Sequence, residues 1–221
     1  MAVIAKIYLI RHGETDANRN NIIQGQLDTP LNEAGEKQAR LVGEALREVP
    51  FDLAFSSDLS RAAKTADAIL AHHAEVKLQK QEELRERYMG SLQGSSMAPG
   101  ARMVSAVDET VENGSEFVKR GVRWWNRRIV DYARSLPPRE TPYNILVVSH
   151  GGFIGTLTRN LIESRKVKCA KDVVIWKCFN TSISIIELGE NGKGTLLQYG
   201  GIAHLEDKAV ESNADEVDVS K

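Results

Sequence analysis

One pattern constrains the fold of this chain more than any other, and it occurs twice. A short apolar run stops at a histidine followed by glycine, and helical spacing begins soon after. Residues 4–10 form the first run, which ends in Arg11-His12-Gly13, and residues 144–148 form the second, which ends in Ser149-His150-Gly151-Gly152. Apolar runs this short, rich in β-branched residues and closed by glycine, read as buried strands rather than helices. In an open parallel sheet, ligands bind at the carboxyl ends of the strands, where loops leave a crevice and the following helices point their N-termini into it. Two histidines at two such strand ends therefore converge on one crevice.

The remaining segments fit the same architecture. Asn32 is placed to cap a helix in which Ala39, Val42, Leu46 and Val49 recur at three and four, with Pro50 ending it. A strand over residues 52–55 follows, and Ser56-Ser57-Asp58 should cap a second helix striped by Leu59, Ala62, Ala63, Ala66, Ile69 and Leu70. His72 and His73 fall at its exposed C-terminus, before a short strand over residues 76–78. Asn113 or Ser115 caps a long helix reaching about Leu136, with Phe117, Gly121, Trp125, Ile129 and Tyr132 on one face. Trp124 and Trp125 are adjacent, so on a regular helix only one of them can face the core. Residues 173–188 alternate apolar and polar, and a glycine-rich turn leads them into residues 195–199 as a hairpin. The expected fold is α/β: a three-layer α/β/α sandwich whose central sheet is mostly parallel, with one antiparallel strand from that hairpin. Residues 1–205 make one domain, and residues 206–221, acidic and polar, read as a disordered tail.

Charge then decides what kind of site this can be. With 29 basic against 30 acidic residues, the formal net charge of -1 leaves no overall field to recruit nucleic acid or an acidic membrane, so neither is an expected partner. An anion site must be local and built from clustered arginines. Arg11 offers a planar fork of donors that matches phosphate oxygens in pairs. Arg61 lies in the first turn of its helix, where free backbone N–H groups add to the guanidinium. His12, beside cations that disfavour a second positive charge, is a neutral imidazole able to attack phosphorus. His150 would bind an equatorial oxygen and stabilise charge in the transition state. No run approaches the ~20 apolar residues of a membrane span, and the first ten residues lack a signal-peptide pattern. Cys169 and Cys178 offer neither a disulfide framework nor a zinc site. The expected compartment is the cytoplasm, with the nucleus also open to it. His204 is expected to be structural.

Arg11-His12-Gly13-Glu14-Thr15, followed by Asn18 and Gln24-Gly25, resembles the signature of the histidine phosphatase superfamily, also called phosphoglycerate mutase-like. The segment from Phe55 to Thr65 resembles its second motif, whose arginine is a phosphate ligand, and Ser149-His150-Gly151-Gly152 resembles its last. The resemblance covers residues 7–205. It implies the phosphoglycerate mutase-like fold, catalytic roles for His12, Glu86, Arg11, Arg61 and His150, and substrate-binding roles for Asn18, Gln24, Gly25 and Gly151. Glu86, in Leu84-Arg85-Glu86-Arg87-Tyr88-Met89-Gly90, is the carboxyl that the resemblance puts beside the transferred phosphate. A carboxylic acid next to a phosphate holds its proton by like-charge repulsion, so it can protonate a leaving alkoxide. No cofactor and no metal are implied, because the arginines bring the positive charge. Glu112 falls where the family has a Gly-Glu-Ser turn, here without the glycine. The loop at residues 94–100 lacks the longer basic insert of the mutase branch and has only Arg102 near it, which favours hydrolysis of the phosphohistidine. The expected activity is that of a histidine acid-type phosphatase, a phosphomonoesterase acting on small phosphorylated metabolites. A phosphoglycerate mutase and a catalytically silent phosphate-binding module are the alternatives. Neither the physiological substrate nor the oligomeric state can be read from the sequence.

Overall fold

In the computed structural model, which describes residues 2–97 and 108–205, the two apolar runs are neighbouring parallel strands, β1 (Val3–Arg11) and β4 (Tyr143–Ser149). They sit inside a seven-stranded sheet with β2 (Phe51–Ser57), β3 (Leu78–Gln81), β5 (Val167–Cys169), β6 (Ile183–Gly189) and β7 (Gly194–Gly201). The order is β3-β2-β4-β1-β6-β7-β5. β6 runs against both β1 and β7, while the other pairings are parallel, as the hairpin reading requires. Register matters more than order here. Arg11 is level with Ser149, so the two strands stop at the same height and hand over to His12 and His150 side by side.

Alternation on the central strands separates two cores. Ile7 and Leu9 of β1 and Ile145 and Val147 of β4 face one side, against Phe117, Trp124, Trp125, Ile129, Phe153 and Leu157. Tyr8, Ile10, Leu146 and Val148 face the other, against Val42, Leu46, Ala62, Ala66 and Ile69. Helices α2 (Glu33–Leu46) and α3 (Ser60–Leu70) cover that second face, and α4 (Gly114–Trp124) and α6 (Gly151–Glu163) cover the first. The result is the three-layer sandwich. Burial of such strands on both sides explains why they read as continuous apolar runs.

Four local expectations need correction. The strand β2 continues through Ser57 and the N-cap falls at Leu59; Ser57 Oγ accepts from Leu59 N (3.3 Å), while the first-turn N–H of Ser60 goes to Asp28 Oδ1 (2.6 Å). Asp58 is drawn away into an ion pair with Arg85. Both Trp124 and Trp125 are buried, at 0% and 1% exposure. The helix changes at this point from α4 into a π-helical stretch, Trp125–Asp131, before a last short helix, α5 (Tyr132–Ser135). Wider winding shifts the inward phase by about one residue, so Ala133 is buried and Tyr132, assigned to the buried stripe by α-helical spacing, is 37% exposed. His73 turns out half-buried, its ring edge-on to Phe51 at 5.1 Å between centroids. In the alternating stretch, pairing begins only at Ile183; β7 has β5 as its other neighbour, a three-residue strand too short to show alternation in sequence.

Candidate active site

At the shared end of β1 and β4, the chain leaves the sheet through His12 and His150. His12 N donates to Ser149 O (2.9 Å), which extends the ladder by one bond and fixes the two residues together. Their rings lie 5.1 Å apart between centroids, tilted by 59°. Both are buried, yet neither belongs to the apolar cores. The His12 Nδ1 atom is 2.7 Å from Gly13 O. A carbonyl can only accept, so the proton of the neutral ring sits on Nδ1 and leaves the Nε2 lone pair bare. Among the described residues that Nε2 has no hydrogen-bond partner, and neither ring nitrogen of His150 has one. Buried polar atoms are seldom left this way unless a ligand completes them.

Two guanidiniums frame the pair. Arg11 is buried and donates through one Nη to Cys178 O (2.7 Å). Arg61, buried in the first turn of α3, donates to Leu27 O (2.7 Å) and Gly25 O (2.8 Å). Gly25 turns its carbonyl this way with φ at +51°, a conformation that costs glycine little. Burial holds the His12 imidazole well below its usual range, and the nearby charges of Arg61 and then Arg11 hold it lower. His150 is lowered well below its usual range by burial first, then by Arg61, His12, Arg11 and Arg120. Both rings are therefore neutral at physiological pH, as a nucleophile needs.

Glu86 comes to the same place from a separate loop. Its Oε2 accepts from Gly152 N (2.8 Å) and its Oε1 from Arg87 N (2.9 Å). The carboxyl group thus sits at the N-terminus of α6, whose N-cap is His150, and is aimed by these two backbone N–H groups. Gly152 allows the approach: a Cβ there would lie 2.6 Å from Glu86 Oε1. Gly151 is the first residue of this helix.

The first loop wraps the other side. Thr15 caps α1 (Asp16–Arg19), with Asn18 Oδ1 accepting from Thr15 N (3.1 Å) in return. Gln24 Oε1 accepts from the hydroxyls of Thr15 (2.8 Å) and Thr29 (2.5 Å). The sequence-predicted residues His12, His150, Arg11, Arg61 and Glu86 are thus gathered at one sheet edge, with Asn18, Gln24, Gly25 and Gly151 in the loops and helix end around it. Of the loop at residues 94–100, Gly94 to Met97 are described, and Ser96 bridges to Ile22; Arg102 and residues 206–221 lie outside the described residues.

Several supporting residues stand outside the predicted site set. Asn180 Nδ2 donates to His12 O (2.9 Å), and Thr181 N donates to Arg11 O (3.0 Å), with Thr181 in a left-handed conformation at φ +55°. Thr65 Oγ1 accepts from Gly13 N (3.0 Å) and donates to Arg61 O (2.7 Å), linking two arms of the site. His204 sits behind this clamp, its Nε2 3.3 Å from Thr181 Oγ1, in keeping with a structural part. Among the described residues no His, Cys, Asp and Glu side chains cluster as a metal site, and no helix is long and apolar enough to cross a membrane.

With this geometry in place, the similarities to known proteins are informative. Residues 7–200 match the model of the histidine phosphatase superfamily, branch 1. A Schizosaccharomyces pombe protein named as a probable phosphatase is 33% identical over 91% of this chain and 95% of its own length. The broad-specificity phosphatase YOR283W of Saccharomyces cerevisiae is 30% identical over 92% and 89%, and a phosphoglycerate mutase-like protein of Arabidopsis thaliana is 32% identical over 92% and 88%. Among solved structures, a phosphoglycerate mutase from Bacillus anthracis superposes with a TM-score of 0.74 at 24% identity, covering 92% of this chain and 96% of that one.

Proposed function

The chain belongs to the histidine phosphatase superfamily, and we propose that within it the protein is a metal-independent phosphomonoesterase of the histidine acid type. It passes the phosphoryl group of a small phosphorylated metabolite through a phosphohistidine at His12. The observation that carries this reading is the His12 tautomer: Nδ1 is tied to Gly13 O, and Nε2, in a ring 5.1 Å from that of His150, has no hydrogen-bond partner among the described residues.

In the first step, His12 Nε2 attacks phosphorus and the bond from phosphorus to the leaving oxygen breaks. That oxygen takes the proton of Glu86. In the second step, water attacks the same phosphorus and gives a proton to the Glu86 carboxylate, and the P–N electron pair returns to His12. The sum is ester plus water giving alcohol and inorganic phosphate. Arg11, Arg61 and His150 hold the three non-bridging oxygens while their charge rises, and Asn18, Gln24, Gly25 and Gly151 shape the surrounding loops. Because the guanidiniums are held by backbone carbonyls before substrate arrives, they need no reorganisation during the reaction. Fixed positive charge of this kind does the work that a divalent cation does in metal-dependent phosphatases.

Phosphatase-named relatives favour hydrolysis over isomerisation. The test is a quenched-flow reaction with p-nitrophenyl phosphate in the presence of EDTA. Acid-labile phosphate should appear on His12 by mass spectrometry, and His12→Ala should abolish both it and turnover. Full activity of His12→Ala would overturn the covalent route, loss of activity in EDTA would overturn metal independence, and dominant isomer formation from a phosphoglycerate would make the protein a mutase.

A further inference from the structure

Arg120 lies on α4, one helix away from the histidines, and its guanidinium is turned entirely toward the loop that carries Glu86. One Nη donates to Glu83 O (2.7 Å) and Arg85 O (2.9 Å), and the other to Glu86 O (3.2 Å). The remaining donors go to Glu112: Nε to Oε1 (3.0 Å) and Nη to Oε2 (2.9 Å), a two-pronged ion pair. The group stacks over the rings of Phe117 (5.0 Å) and Phe153 (5.9 Å), so it is held from above as well as in its plane. Glu112 completes the bracket from the far side. Its Oε2 accepts from Tyr88 N (3.1 Å), its backbone N donates to Tyr88 O (2.8 Å), and its carbonyl accepts from Arg87 Nε (2.8 Å). Gln26 Nε2 adds a further bond to Glu86 O (3.1 Å).

The 83–88 segment has no regular structure of its own beyond one 3₁₀ turn, Glu82–Leu84. A loop carbonyl facing inward must be paired or it destabilises the fold. Here three of them, those of Glu83, Arg85 and Glu86, are paired to one side chain, and Leu84 O between them accepts from Ser149 Oγ (2.7 Å). Only a planar fork with several donors can serve three carbonyls and a carboxylate together; an ammonium cannot.

We propose that Arg120, paired with Glu112, is the positioning residue for proton transfer by Glu86. It fixes the backbone of the loop so that the carboxyl stands at the leaving oxygen. This proposal rests on the reading of Glu86 as the proton donor. Arg120 does not touch the substrate.

The prediction is selective, because a good leaving group needs no proton in the transition state and a poor one does. For Arg120→Lys and Glu112→Gln, kcat/KM on an alkyl phosphate, which reports formation of the phosphohistidine and not its hydrolysis, should fall about 10- to 100-fold, the scale of a misplaced general acid. On p-nitrophenyl phosphate the loss in kcat/KM should stay within about threefold, since the nucleophile and the arginines of the phosphate site are untouched. Near-normal kcat/KM on p-nitrophenyl phosphate also reports that each variant folds. Equal losses on both substrates would reduce Arg120 to a structural role and overturn the proposal, and so would no loss on either. Glu86→Gln is the control: if it shows no preference for the good leaving group, the assignment of Glu86 as acid fails instead.

Discussion

His12 and His150 face each other with ring centroids 5.1 Å apart, although they follow different strands and both are fully buried. Two imidazoles packed this closely beside Arg11 and Arg61 resist protonation, and each has its pKa depressed well below 6.5 on folding. The unfolded chain then binds more protons than the native one between the depressed values and 6.5. Stability therefore rises with pH through that window, is complete above about 6.5, and falls as the solution is acidified. The slope is at most about 1.4 kcal/mol per pH unit for each ring. Urea unfolding between pH 5 and 8 checks this, with the double variant His12→Asn/His150→Asn expected to flatten the slope. An unchanged slope in that variant would mean that these rings carry no such penalty.

Gly152→Ala should separate chemistry from folding. The new Cβ would lie 2.6 Å from Glu86 Oε1 and 3.0 Å from Oε2, which are ends of a movable side chain rather than backbone. Glu86 must swing off the α6 N-terminus. Expected is a loss of about 10-fold or more in kcat on an alkyl phosphate, with a melting temperature close to that of the parent. A large drop in melting temperature with little change in kcat would contradict it.

Asn180→Ala removes the side-chain donor to His12 O, which keeps only the longer bond from Thr181 N (3.3 Å). The cost should be about 0.5–1.5 kcal/mol of unfolding free energy, read from denaturant midpoints. Turnover should fall with it, because the same bond aims the chain as it leaves β1.

Trp124→Ala and Trp125→Ala should each cost about 3–5 kcal/mol, the range for deleting a buried indole. A regular α-helix would make one of the two cheap. If either substitution proved nearly neutral in chemical denaturation, the π-helical packing of both rings against the sheet would be wrong.

How far the sequence could be read depended on how local each signal was. The strand ends at His12 and His150 were legible, because apolar runs closed by glycine are set by neighbours in the chain. Arg61 was legible as a cation in a helix's first turn, yet the cap of that helix was legible only in part: Ser57 accepts from Leu59 N, but Asp28 from a distant loop takes the first-turn N–H of Ser60. The tryptophan pair misled for a related reason. Helical spacing assumes one winding throughout, and packing two indoles into the core against β2 and β4 residues favoured a wider turn. The contacts of Asn180, Thr181, Thr65 and Arg120 were not legible, because each acts on backbone groups far away in sequence.

By itself the sequence determined the layered α/β fold, the two histidine-bearing strand ends and the types of side chain brought to an anion, all of which follow from periodicity, turn residues and charge. Tertiary structure alone decided the register that sets Arg11 level with Ser149, the tautomer that bares His12 Nε2, and the seat of Glu86 on the α6 N-terminus. The physical reason is that these depend on hydrogen bonds and close contacts between segments with no local relationship. Such bonds form only once the burial of both sheet faces has fixed the distances between them.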